Sequence, residues 1–159
     1  MTRLFLSLAL AFSYLTSFCQ ASDAYQSLLD ATSHYVNFLN KYTSDGEGSD
    51  IEEIKSLFTP QFRKSINGEL FDETHESMLE KLEHTRIVTG GWYVQILNLL
   101  IAPQTQASTI YYLCTTAEGS YATVAMLHFN EDHLITEVHM VYNRFAGRDD
   151  QVHISETCD

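Results

Sequence analysis

Glu137 and His139 stand two residues apart in the run "EDHLITEVHMVYNRF", Glu131 to Phe145. In an extended strand that spacing puts both side chains on one face. An unperturbed histidine titrates at about pH 6.5, so it can give or take a proton near neutrality. A carboxylate beside it can orient the ring, and the pair therefore has the makings of a general acid/base. His128 and His133 lie in the same hairpin, and imidazole with carboxylate is a zinc-type ligand set. The spacing matches no tight ligand motif, so no metal is expected. The sequence has no glycine-rich phosphate loop, no Gly-x-Ser-x-Gly elbow and no thiol in a recognisable catalytic signature. No cofactor is expected.

Strands and helices must position these groups. In "SDAYQSLLDATSHYVNFLNKY" apolar residues recur at Tyr25, Leu28, Leu29, Thr32, Tyr35, Val36 and Leu39. That is helical spacing, with Ser22 or Asp23 placed to cap it. A polar glycine loop follows, 43–49. "SDIEEIKSLF" predicts a second helix, with Ser49 and Glu52 spaced as a capping box and Pro60 as its stop. A third helix is expected from Asp72 to about Arg86, burying Met78, Leu79 and Leu82. Glu73, Glu76, Glu80 and Glu83 would form its solvated face. From Gly91 the period changes to that of strands: 91–102, 108–116, 120–129 and 133–145, separated by short turns. Short connections imply an antiparallel meander. Helices followed by such a sheet predict an α+β domain.

The first residues read differently. Arg3 is the only charge before Asp23, and Leu4 to Leu15 is an apolar run too short to span a bilayer. With small residues at Cys19 and Ala21, this is the build of a secretory leader cleaved after Ala21. Phe18, not a small residue, precedes Cys19, which argues against lipid attachment there. The expected division is a leader at 1–21, one domain at 22–147 and a polar tail at 148–159. Losing Arg3 takes the net charge from −12 to −13. An acidic surface of that size repels nucleic-acid phosphates and anionic lipid, so neither nucleic acid nor membrane is an expected partner. Cys114 and Cys158 remain after cleavage, and export makes a disulfide between them possible. The alternative is a buried Cys114 acting as a small apolar residue.

The order of elements resembles the nuclear-transport-factor-2-like superfamily, in particular its SnoaL-like branch. "YVNFLNKYTSDGEGSDIEEIKSLFTPQF" resembles that family's first helix, acidic loop and second helix. "INGELFDETHESMLEKLEH" resembles its glycine-containing link and third helix, and "FNEDHLITEVHMVYN" its final hairpin. The resemblance implies three helices packed on a curved sheet, a cone enclosing an apolar pocket. Some members are isomerases, dehydratases or cyclases, and many only bind ligands or dimerise. In the ketosteroid isomerase branch a helix tyrosine and a protonated strand aspartic acid form an oxyanion hole, and a second aspartate is the base. Here the tyrosine falls on Tyr35, but the base falls near Ile66 and the acid near Ala125, and neither is a carboxylate.

Aligned on the family's last strand, Ile135, Glu137, His139, Val141 and Asn143 point toward the concave side. Glu137 and His139 would then border a mainly apolar pocket beside Tyr35, with Ile135, Val141 and Asn143 as further ligand contacts. The other stripe, Leu134, Thr136, Val138, Met140 and Tyr142, is more apolar, and a slip of one residue reverses the faces. The expected function is binding of a small apolar ligand or a partner protein without catalysis. The alternative is acid/base isomerase, cyclase or dehydratase chemistry on a small carbonyl or cyclic substrate. Trp92, Tyr93, Tyr111, Tyr112 and Tyr121 crowd the strands, and with the family's habit of pairing through the sheet they predict a homodimer. The leader has a direct test. N-terminal sequencing of the protein from its native source is expected to begin at Ser22, and an intact Met1 or Thr2 contradicts export.

Overall fold

The computed structural model describes residues 23–43 and 45–145. The expected leader, the polar tail and Cys158 lie outside the described residues. Three helices and six strands follow: α1 (residues 23–39), α2 (Ile51–Leu57), β1 (Phe58–Ile66), β2 (Glu69–Thr74), α3 (His75–Thr89), β3 (Trp92–Ala102), β4 (Ala107–Thr116), β5 (Gly119–Phe129) and β6 (Ile135–Phe145). The sheet order is β2-β1-β6-β5-β4-β3. Every neighbouring pair is antiparallel except β1 and β6, which run parallel. The class is α+β as expected, with the helices against one face of the sheet. No helix among the described residues is long and apolar enough to cross a membrane.

The four-strand meander stands where its alternation puts it. Residues 58–74 do not follow the expected helix stop and glycine-containing link, because they form the β1–β2 hairpin. Its turn is Asn67-Gly68, with φ of 49° and 89°. Two successive positive φ angles favour this residue pair and match the twist of the flanking strands. Asn67 also ties the turn to β6: its N–H donates to the Met140 carbonyl at 2.8 Å, and its Oδ1 accepts from the Tyr142 N–H at 3.0 Å. Pro60, which cannot donate to a ladder, sits in the irregular part of β1 between Phe58 and Arg63.

Helix ends depart from expectation for local reasons. Asp50, not Ser49, caps α2, its carboxylate accepting the Glu53 N–H at 2.8 Å. Thr74 and Ser77 form a reciprocal cap, at 3.2 and 2.9 Å, that starts α3 at His75 rather than Asp72. Glu73 is therefore a β2 residue, 2% exposed, and not part of a solvated helix face. Gly90, at φ 69°, supplies the left-handed residue that ends α3.

The expected stripe of α1 is buried at Leu28, Thr32, Tyr35, Val36 and Leu39, and Phe38 joins it. The fully buried Phe58 gathers this core, with ring centroids of Tyr35, Phe38 and Phe62 at 6.1, 6.1 and 4.5 Å. Thr32 Oγ1 donates to Ser108 Oγ at 2.9 Å, joining α1 to β4. Asn40 covers part of the β3 edge: its amide accepts from the Val94 N–H at 2.8 Å and donates to the Val94 carbonyl at 3.3 Å. That mimics a strand partner and blunts an exposed edge.

One irregularity decides which β6 residues face inward. Ile135 pairs with Phe129, but the next pair is Glu137 with His128, which leaves Thr136 unmatched. The bulge changes the parity of the strand. Ile135 is inward before it, and Val138, Met140 and Tyr142 are inward after it, opposite Leu127, Ala125 and Thr123. Glu137, His139, Val141 and Asn143 face outward.

Candidate functional site

A cavity of about 380 Å³ opens between the helices and the inner face of the sheet. Its wall on β3, β4 and β5 includes Trp92, Val94, Tyr112, Cys114 and Tyr121, and β6 adds Met140 and Tyr142. Alternation on each strand delivers these residues, because period-2 side chains of neighbouring strands share a face. Tyr35 and Leu39 of α1 and Met78 and Leu82 of α3 form the helical side. Trp92 is held in place by stacking on Tyr42, with centroids 5.2 Å apart and planes 10° from parallel. The aromatics expected on the strands are thus split. Trp92, Tyr112 and Tyr121 turn inward, and Tyr93 and Tyr111 turn outward, 58% and 39% exposed.

Of the expected ligand contacts, Tyr35 lines this cavity. Ile135 is inward but packs beside Leu57 at a separate cleft near the β5–β6 turn. Val141 and Asn143 lie on the outer face, Val141 60% exposed. Glu137 and His139 do share a face and touch, His139 Nε2 lying 3.1 Å from Glu137 Oε2. That face is the outer one, so the expectation that they border the pocket is corrected by the bulge at Thr136. Arg63 of β1 ion-pairs with Glu137 there, and His128 meets His139 edge to face at 5.8 Å. The hydrogen bond from His139, with the Arg63 guanidinium, holds the Glu137 carboxyl below its ordinary value against slight desolvation. Among the described residues, no three His, Cys, Asp or Glu side chains are arranged to hold a metal ion.

The phenols and the thiol inside the cavity are poor bases at neutral pH. Burial raises the Tyr35 phenol above its ordinary value, and burial, with the nearby Tyr35, does the same to Tyr112. Burial pushes the thiol of the half-buried Cys114 up to about 11. Its expected disulfide partner, Cys158, lies outside the described residues. Among the described residues that line this cavity there is no carboxylate and no imidazole.

Lys64 was missed from sequence. It lies on β1 opposite Phe71 of β2 and Val138 of β6, on the inner face. It lines this cavity and also an adjoining hollow with Phe71, Glu73, Glu80, Lys81 and His84. The only available signal was the Asn-Gly turn, from which the alternation of β1 can be counted back. Burial pushes the Lys64 ammonium below the ordinary lysine value; the nearby Glu73 charge opposes this and Lys81 adds to it.

The chain matches no family model and no curated protein. Its fold is similar to several solved structures. A protein of unknown function with a cystatin-like fold from Methylobium petroleophilum PM1 is 14% identical, with a TM-score of 0.62 over 78% of this chain and 80% of that one. An NTF2-like protein of unknown function from Cytophaga hutchinsonii is 12% identical, with a TM-score of 0.57 over 73% and 89%. A SnoaL-like protein of unknown function from Burkholderia thailandensis is 12% identical, with a TM-score of 0.56 over 76% and 96%. Identities this low establish the fold alone.

The buried carboxylate at the adjoining hollow has a measurable pH signature. Glu73 Oε1 accepts from Lys81 Nζ at 2.6 Å, and Oε2 accepts from Ser77 Oγ at 2.6 Å. Burial alone would raise this carboxyl, but those bonds and the Lys81 and Lys64 charges hold it below the ordinary 4.5. A carboxyl depressed in the folded state stabilises above its unfolded value, and that stabilisation is lost as pH falls through the folded value. Urea midpoints from pH 7 to pH 3 are expected to show Glu73→Gln less stable than wild type at pH 7, with the gap closing in acid. Parallel curves for the two proteins would contradict the role given to Glu73. Taken together, the helices, the mixed sheet and the similarity to these solved structures show that this chain has the nuclear-transport-factor-2-like fold.

Proposed function

We propose that this domain is exported and binds a small, largely apolar ligand in the cavity behind Tyr35, without catalysis. The observation that carries the reading is the lining: aromatic and aliphatic side chains from every layer of the fold around about 380 Å³, within the usual size of a small-molecule site. An acid/base enzyme needs a proton carrier poised near neutral pH at the reacting atom. Tyr35, Tyr112 and Cys114 are shifted away from that range, and Glu137 with His139 is on the other side of the sheet. A neutral apolar dye tests the reading. N-phenyl-1-naphthylamine is expected to brighten on titration with the wild-type protein. Cys114→Trp, which fills the cavity, is expected to weaken that binding about tenfold or more. Equal binding by both proteins would place the dye elsewhere and defeat the proposal.

The outer face of the sheet supports a second element, self-association. Tyr93, Leu100, Tyr111, Val124, Met126 and Val141 are all at least 38% exposed, on four adjoining strands. A contiguous apolar patch of this kind favours a protein partner over water. A second copy of the chain is the proposed occupant. Light scattering at micromolar concentration is expected to give twice the protomer mass, and Val124→Glu is expected to return it to one. A wild-type monomer across that range would refute the dimer.

A further inference from the structure

The cavity contains one cation that no described residue meets with a hydrogen bond or an ion pair. Lys64 Nζ makes no hydrogen bond and no ion pair among the described residues, although the side chain is half-buried on the inner face. The carboxylate closest in electrostatic terms is Glu73, and both of its oxygens are engaged, one by Lys81 and one by Ser77. Lys81 is committed as well, being paired with Glu73 and lying 5.3 Å from the centre of the Phe71 ring. Glu80 and His84 line only the adjoining hollow, and both are exposed. Removing an ammonium from water is costly unless an anion replaces the lost hydration. Ordinary surface lysines avoid that cost by reaching solvent along their stems. Lys64 instead stands with Ile66 and Thr85 at the boundary between the apolar cavity and the charged hollow.

We propose that Lys64 anchors the carboxylate of an acyl-chain ligand whose hydrocarbon part fills the cavity against Trp92, Val94, Tyr112 and Met140. This rests on the pocket reading above and adds the charge of the ligand. The chain would lose its contact with water along the aromatic wall. The carboxylate would accept a charge-assisted hydrogen bond from Nζ, which is strengthened where water is scarce. An anion at this point also offsets the desolvation that lowers the Lys64 ammonium.

Calorimetric titration with decanoate and with decanol, at pH 7, separates charge recognition from chain burial. Wild-type protein is expected to bind decanoate about tenfold more tightly than decanol. Lys64→Met keeps the length of the stem and removes the charge. It is expected to weaken decanoate about tenfold and leave decanol unchanged, which also shows that the variant is folded. Lys64→Arg is expected to retain most of the preference for decanoate. If Lys64→Met binds decanoate as wild type does, the anchor is wrong while the apolar pocket stands. If wild type prefers decanol, or if Lys64→Met loses both ligands equally, Lys64 has no role in reading charge and the inference is overturned. Binding of neither compound to wild type would overturn the anchor and the pocket reading together.

Discussion

The pairing of β6 on both flanks is the constraint on which the rest of this structure depends. Among the described residues it is the strand that joins the β1–β2 hairpin to β5, β4 and β3, parallel to β1 on one side and antiparallel to β5 on the other. Each ladder fixes its register, and the unmatched Thr136 must be accommodated in both at once. In the β1 ladder the matching irregularity lies between Phe58 and Arg63, where Pro60 removes a donor. The two breaks fall level with each other across the sheet. They let Ile135 pack on Phe58 at the closed end of the core, while Met140 and Tyr142 line the open end.

The cavity follows from that arrangement. Below it, Phe58, Tyr35, Phe38 and Phe62 fill the space between α1 and the sheet with ring against ring. Above it, α3 and the inner face of the sheet border the cavity, and Lys64 reaches it from β1. The same geometry separates two kinds of polar chemistry. The acid/base pair of Glu137 and His139 is neutralised by Arg63 on the outer face, beside exposed apolar residues. The cation of Lys64 is kept on the inner face, where water is scarce and Coulomb interactions are stronger.

Much of the fold was legible in the sequence, and its limits are specific. Apolar spacing in 23–39 and alternation in 91–145 located α1 and four strands, because both elements bury one face and so must repeat polarity with their own period. The β1–β2 hairpin was missed although Asn67-Gly68 marks its turn, because Pro60 and the short strands blur the alternation on either side. Glu73 looked like one more carboxylate in a helical charge run. Only the Thr74–Ser77 cap, which starts the helix after it, and the Lys81 ammonium, which reaches back to it, explain why it is buried.

The sequence by itself determined the order and kind of the three helices and of β3 to β6, the shared face of Glu137 and His139, and the apolar character of the strands that line the cavity. These are local properties, set by side chains within a few residues of one another. The tertiary structure alone decided which face of β6 is concave, that Tyr35 and Lys64 meet one cavity from different layers, and that Trp92 and Tyr112 turn in while Tyr93 and Tyr111 turn out. The physical reason is register. A single unmatched residue in a strand exchanges its two faces, and whether a bulge forms is settled by the partners on both sides, which lie up to 77 positions away along the chain, as Phe58 does from Ile135.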